Sequence, residues 1–240
     1  MKHTPDSFRP ALPAVSRLLA VTALVACAMP ALAGRPLASE DAGVLDRGDC
    51  ELEGAAAHAS VSGASGSERA LQLGCGIGFD TQLALGLARA SAGGAHADGL
   101  ALGGKTSLWK GSEDAGLALA YSLAWGRAGG GSWEHAETAL NLAYSRPTSK
   151  ELTLHANLGH ARDEIGGAAA TTWSLALEHA GFGALAPMAE VFGDDREGPW
   201  WNLGLRWTVA DEKFYIDASY GRQMASGRAR LVTLGFKFAF

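Results

Sequence analysis

After its first 33 residues the chain has no run of 18 or more consecutive apolar residues. That excludes a helical membrane span beyond the N-terminal region. Proline is scarce, eight in 240 residues, and nearly absent from the apolar runs. Lys and Arg number 20 against 25 Asp and Glu, a formal net charge of −5. A basic face for nucleic acid is therefore not expected. No G-x-S-x-G motif occurs, and no His-x-Ser pair falls where an outer-surface hydrolase would need it, so no catalytic residues are assigned. His58, His96, His135, His155, His160 and His179 lack tight metal-ligand spacing. Gly74-x-Gly76-x-Gly78 lacks the spacing of a dinucleotide fingerprint, and Gly129-Gly130-Gly131 lacks the Lys-Ser/Thr of a phosphate cradle. No cofactor and no metal are implied.

What is present begins with a leader. Lys2, Arg9 and Arg17 precede an apolar run from Leu18 to Met29, and Ala31-Leu32-Ala33 follows. The run is too short for a stable span but suits a signal-peptide core, so residues 1–33 are expected to be cleaved after Ala33. Leu24-Val25-Ala26-Cys27 offers a rival route, lipidation at Cys27. Cleavage after Ala33 is favoured because the rest of the chain carries its own membrane-embedding pattern. Residues 34–47 are then a periplasmic lead-in or a plug-like tail, and 48–240 the main domain. Export also permits oxidation of the remaining cysteines, Cys50 and Cys75.

The dominant pattern has period two. Val232, Leu234, Phe236, Phe238 and Phe240 alternate with Thr233, Gly235, Lys237 and Ala239. A strand sends those sets to opposite faces. Similar stripes recur, among them Leu83, Leu85 and Leu87; Leu117, Leu119, Tyr121 and Leu123; and Leu203, Leu205 and Trp207. They predict 12 strands near 49–59, 69–79, 82–91, 98–109, 116–126, 135–145, 151–162, 170–179, 186–193, 200–208, 213–222 and 229–240. The fold expected is an all-β transmembrane antiparallel up-and-down barrel. Lipid excludes an open sheet edge, because unpaired backbone groups there cost several kcal/mol each. Connections after odd strands, such as Ser60–Glu68 and Ala92–Ala97, are expected to be longer than those after even strands. Aromatics fall into two girdles. Phe79, Trp109, Tyr144, Trp207, Phe214, Phe238 and Phe240 mark one, and Trp125, Trp133, Trp173, Phe192, Trp200, Trp201 and Tyr220 the other.

Inward parity collects Glu51, Glu53, Gln72, Lys105, Glu137, Asn141, His155, Asn157, Glu178, Glu190, Arg206, Asp217 and Lys237 as candidate lumen-lining residues. Acids outnumber bases, which points to a cation-favouring lumen. A polar plug and a narrow passage fit these residues equally. Cys50 and Cys75 share the outward face near one end of neighbouring strands, within cross-strand disulfide range; the alternative is two reduced thiols. Asp194, Asp195 and Glu197 read as a solvated acidic loop in preference to a divalent-ion site or a bridge to lipopolysaccharide.

Two stretches carry a resemblance. Arg35-Pro36-Leu37-Ala38-Ser39-Glu40-Asp41-Ala42-Gly43, followed by Gly48-Asp49-Cys50-Glu51-Leu52-Glu53, resembles the start of proteobacterial outer-membrane proteins similar to the channel family of the phenol meta-degradation pathway. The terminal strand with Phe236, Phe238 and Phe240 resembles the assembly signal of outer-membrane barrels. The resemblance implies a barrel of about 12 strands with uptake of small, hydrophobic compounds. It also implies the outer membrane of a Gram-negative cell as location. The expected partners are its lipids, lipopolysaccharide and the barrel-assembly machinery. A closed barrel with a structural or surface-interaction role is the alternative.

Overall fold

The computed structural model describes residues 36–61, 63–112, 114–180, 182–210, 213–224 and 229–240. The leader, with Cys27 and the cleavage point at Ala33, lies outside the described residues. Twelve strands follow: β1 Cys50–Val61, β2 Ala64–Gly78, β3 Thr81–Ala92, β4 Ala95–Lys110, β5 Gly116–Ala128, β6 Glu134–Pro147, β7 Leu152–Asp163, β8 Ala169–His179, β9 Leu185–Asp194, β10 Trp200–Ala210, β11 Phe214–Gln223 and β12 Arg230–Ala239. Each pairs antiparallel with its sequence neighbours, and β1 pairs with β12 to close the barrel. Closure gives every strand two partners, so no ladder ends at an open edge. We call the rim where β1 begins and β12 ends the proximal rim, and the other the distal rim. Reciprocal backbone bonds between Cys50 and Phe240 seal the proximal seam.

The alternation seen in the sequence is the alternation of the wall. Leu83, Leu85, Leu87, Leu102, Leu123, Leu140, Leu158, Leu175, Leu203, Leu205, Val232 and Leu234 all stand exposed on the outer face. The residues between them face in and are mostly small or polar, such as Ala84, Ala101, Ala118, Ala143, Asp217 and Ser219, all buried. A soluble protein does not present so large an apolar belt to water. At the closing seam the Phe236 ring lies over Gly54, its partner in register, where any Cβ would collide with the ring. That arrangement covers an otherwise bare stretch of backbone.

Two expectations are corrected. The connections after odd strands are not systematically longer. Val61 already pairs with Ala64, and Ala92 with Ala95. Gly93 and Gly94 supply the second of these turns with φ of 58° and 85°, the left-handed pair a tight hairpin requires. The Gly- and Ser-rich stretches looked like loops by composition. In a closed barrel the ladder on both sides carries them as strand. The second correction concerns Phe192 and Trp200, assigned above to an aromatic girdle. Both share the parity of the buried Glu190 and Asn202, face each other in register, and stack at 6.1 Å inside the distal mouth. Register overrides the interfacial preference of aromatic rings.

Candidate functional site: the occupied lumen

Ala84, Ala101, Ala118, Ala120, Ala124 and Ala143 make the inner wall of β3 to β6 thin. Into the space they leave runs the chain that precedes β1. It has no ladder partners over most of its length. Its backbone groups must find acceptors and donors elsewhere, and the inward polar side chains provide them. Pro36 meets Asn202 of β10, whose Nδ2 donates to the Pro36 carbonyl at 3.2 Å and to Glu190 Oε1 at 2.8 Å. The Ala38 amide donates to Glu190 Oε1 at 2.7 Å. The Ser39 amide and hydroxyl donate to Glu190 Oε2 at 2.9 and 2.8 Å. Asn157 of β7 grips both backbone groups of Glu40: it accepts from the amide at 2.6 Å and donates to the carbonyl at 2.8 Å. The Ala42 amide donates to Ser145 Oγ at 2.8 Å, and the Leu45 amide to Gln82 Oε1 at 2.9 Å. The segment thus crosses the lumen from β3 at the proximal rim to β9 and β10.

Charge closes the same contact. Lys105 is 4% exposed, and its Nζ reaches Glu40 Oε1 at 2.8 Å, the Asp41 carbonyl at 3.2 Å and Asp41 Oδ1 at 3.3 Å. Leu37 packs on Ala176 and Met188 in a small apolar nucleus, with Ala186 beside it. Two inward glycines make the approach possible. A Cβ on Gly76 would overlap the carbonyls of Leu45 and Asp46, and one on Gly204 would meet Pro36 Cγ at 2.8 Å. Gly76 belongs to the Gly-x-Gly-x-Gly stretch of β2, whose glycine is thus used for backbone proximity.

Apart from Gln72, which faces in opposite Glu53 in register, and Glu137, the candidate lumen residues fall into two groups. Lys105, Asn141, His155, Asn157 and Glu190 hold the inserted segment or its holders: Asn141 Nδ2 donates to Asn157 Oδ1 at 3.2 Å, and Ser145 Oγ and His155 Nδ1 lie 2.8 Å apart. Glu51, Glu53, Glu178, Arg206, Asp217 and Lys237 gather nearer the proximal rim on β1, β8, β10, β11 and β12. There Lys237 pairs with Glu51 and stands 3.8 Å from Glu53; Arg206 stands 3.8 Å from Glu178 and opposite Asp217 in register. Glu137 belongs to neither group. It faces in from the distal half of β6, opposite Asp163. Gln82, Ser145 and Asn202 were not among the candidates, although their inward parity marked them as plainly as the others.

Glu178, His155 and Ser145 stand in the order of an acyl-transfer triad, with His155 Nε2 3.7 Å from Glu178. Here Ser145 Oγ accepts the Ala42 amide and is buried with His155 beneath the inserted segment. The arrangement anchors the segment. Cys50 and Cys75 are bonded, opposite each other in the β1–β2 register on the outward face. Phe238 and Phe240 project from the proximal rim, stacked at 5.6 Å.

A closed antiparallel wall with an apolar exterior and a polar, internally occupied lumen defines a transmembrane β-barrel. Within that class the chain belongs to the family described as "Uncharacterised conserved protein UCP029691", whose model matches residues 20–240. No curated protein matches it in sequence. Among solved structures it is similar to the KdgM porin in complex with disordered oligogalacturonate, at TM-score 0.59 and 9% identity, covering 78% of this chain and 99% of that one. It is similar to the COG4313 outer membrane channel from Pseudomonas putida F1, at TM-score 0.58 and 11% identity, with 83% and 98% covered. The NanC porin gives TM-score 0.57 and 9% identity, with 78% and 98% covered. At such identities the likeness is one of fold.

Proposed function

We propose that this chain is an outer-membrane barrel that passes small polar solutes passively, with residues 36–46 setting how much of the lumen is open. The observation that carries this reading is the segment itself, tied to the wall by side-chain hydrogen bonds and the Lys105 ion pairs rather than by a ladder. Such contacts can be exchanged for water without breaking the barrel. Ionisable lining favours hydrated solutes over the hydrophobic cargo that the resemblance implies, and the excess of acids favours cations. The exposed outer belt supports lipid as its surroundings, and the terminal aromatics support handling by the barrel-assembly machinery. On this reading the proximal rim is periplasmic, and any lipopolysaccharide contact lies at the distal rim.

The same segment supports a second reading, a closed barrel with a structural role. Recordings in planar bilayers separate the two. The channel reading expects little or no unitary current from the full mature chain, and clear cation-selective steps once residues 36–46 are deleted. A deletion variant that folds, shifts on heating in gels, and stays silent at every voltage leaves the closed barrel standing.

A further inference from the structure

At the proximal rim a cavity of about 290 Å³ opens inside the wall, lined in part by Glu178, Arg206, Thr208, Tyr215 and Lys237. Its polar groups differ from those around the inserted segment. There the charged contacts are closed, between 2.7 and 2.9 Å for Glu190 and 2.8 Å for Lys105 with Glu40. Here Arg206 Nη1 stands 3.8 Å from Glu178 Oε1, and His155 Nε2 stands 3.7 Å from Glu178 Oε2. Those gaps exceed the 2.7–2.9 Å of a charge-assisted hydrogen bond. Arg206 Nε is buried with no hydrogen-bond partner. The guanidinium is held in place by Tyr215, whose ring lies 5.8 Å away. Lys237 is already spent on Glu51. The other charged groups at this cavity are thus held only by long ion pairs: the Arg206 guanidinium and the Glu178 carboxylate lie side by side with room for a shorter partner to each.

We propose that this cavity binds a small amphoteric solute of amino-acid type, its carboxylate on Arg206 and its ammonium on Glu178. A guanidinium fork matches a carboxylate in two parallel bonds. Glu51 and Glu53 stand beside Lys237 and Asp217 opposite Arg206, so a bare carboxylate meets repulsion that an ammonium on the same molecule offsets. An amine without a carboxylate competes with Arg206 for Glu178 and brings the guanidinium no new partner. The volume accepts a molecule of a few heavy atoms plus water. This inference deepens the channel reading by naming a solute class for its proximal mouth.

The test is calorimetric titration of the full mature chain in detergent with L-alanine, against acetate and methylammonium. L-Alanine is expected to bind at least about tenfold more tightly than either half-molecule, because both partners are engaged. R206Q and E178Q are each expected to weaken L-alanine by about tenfold or more, with E178Q leaving acetate binding undiminished. R206K keeps the charge, loses the fork and is expected to lie between, which guards against a variant that merely fails to fold. Equal binding of L-alanine and acetate, no binding at all, or indifference to both substitutions overturns the site. Binding by the full mature chain, with no current from the folded variant lacking residues 36–46, keeps the site and removes the channel. Current from that variant, with no binding by the full chain, does the reverse.

Discussion

Lys105 sits 4% exposed in the wall of β4 with two carboxylates of the inserted segment around its ammonium. Removing one partner of a buried ion pair strands the other, at a cost of roughly 3–5 kcal/mol. We expect K105M to loosen the segment, not the barrel: amide hydrogen exchange at Ser39, Glu40 and Ala42 should accelerate by about a hundredfold or more, while strand amides hold. Adding E40Q should restore part of the protection, since only the more exposed carboxylate of Asp41 then lacks its cation. Uniform acceleration through the barrel would assign Lys105 to global stability instead. At this scale the sequence was legible in direction and illegible in partnership. Parity alone turned Lys105, Asn157 and Glu190 inward. Nothing in it said that Glu190 meets Ser39, a separation of 151 residues. Phe192 and Trp200 show the reverse weakness: ring chemistry suggested the lipid interface, while register faced them into the lumen.

Elements were legible where alternation is strong, and their ends were not. β10 and β11 match their expected spans closely, but β2 starts at Ala64 because small residues that resemble a loop continue the ladder. The β2–β3 turn makes a prediction of its own. Phe79 and Asp80 occupy it with φ of 56° and 51°, and Phe79 is 96% exposed. A left-handed conformation costs an ordinary residue about 1–2 kcal/mol, which Asn tolerates better. F79N should therefore raise the urea midpoint in detergent, by about 1 kcal/mol in unfolding free energy. A drop would mean that the ring anchors the barrel at the membrane surface. The Cys50–Cys75 bond joins the neighbouring strands across a separation of 25 residues. In the chain-entropy model its loss costs about 3 kcal/mol. C50A/C75A and the reduced native chain should lose that amount alike in urea unfolding. Unequal losses would point to a packing fault in the variant.

The whole molecule follows from one rule applied twelve times. Each strand gives its apolar set to the outside and its small or polar set to the inside, and closure satisfies the backbone. The thin alanine wall then leaves room for residues 36–46, which complete the lumen's hydrogen bonding. That insertion was visible in the sequence only as one of two roles for the lead-in, because a coil segment has no periodicity to betray its place. The measurement closest to the central claim is quenching by brominated lipid, with single labelled cysteines set in turn at positions 83 to 88 of β3 in vesicles. Labels replacing Leu83, Leu85 and Leu87 should be quenched from the bilayer, and labels replacing Ala84, Gly86 and Ala88 should not. Quenching that ignores the two-residue alternation, or none at any position, would contradict a wall with lipid on one side and a polar lumen on the other.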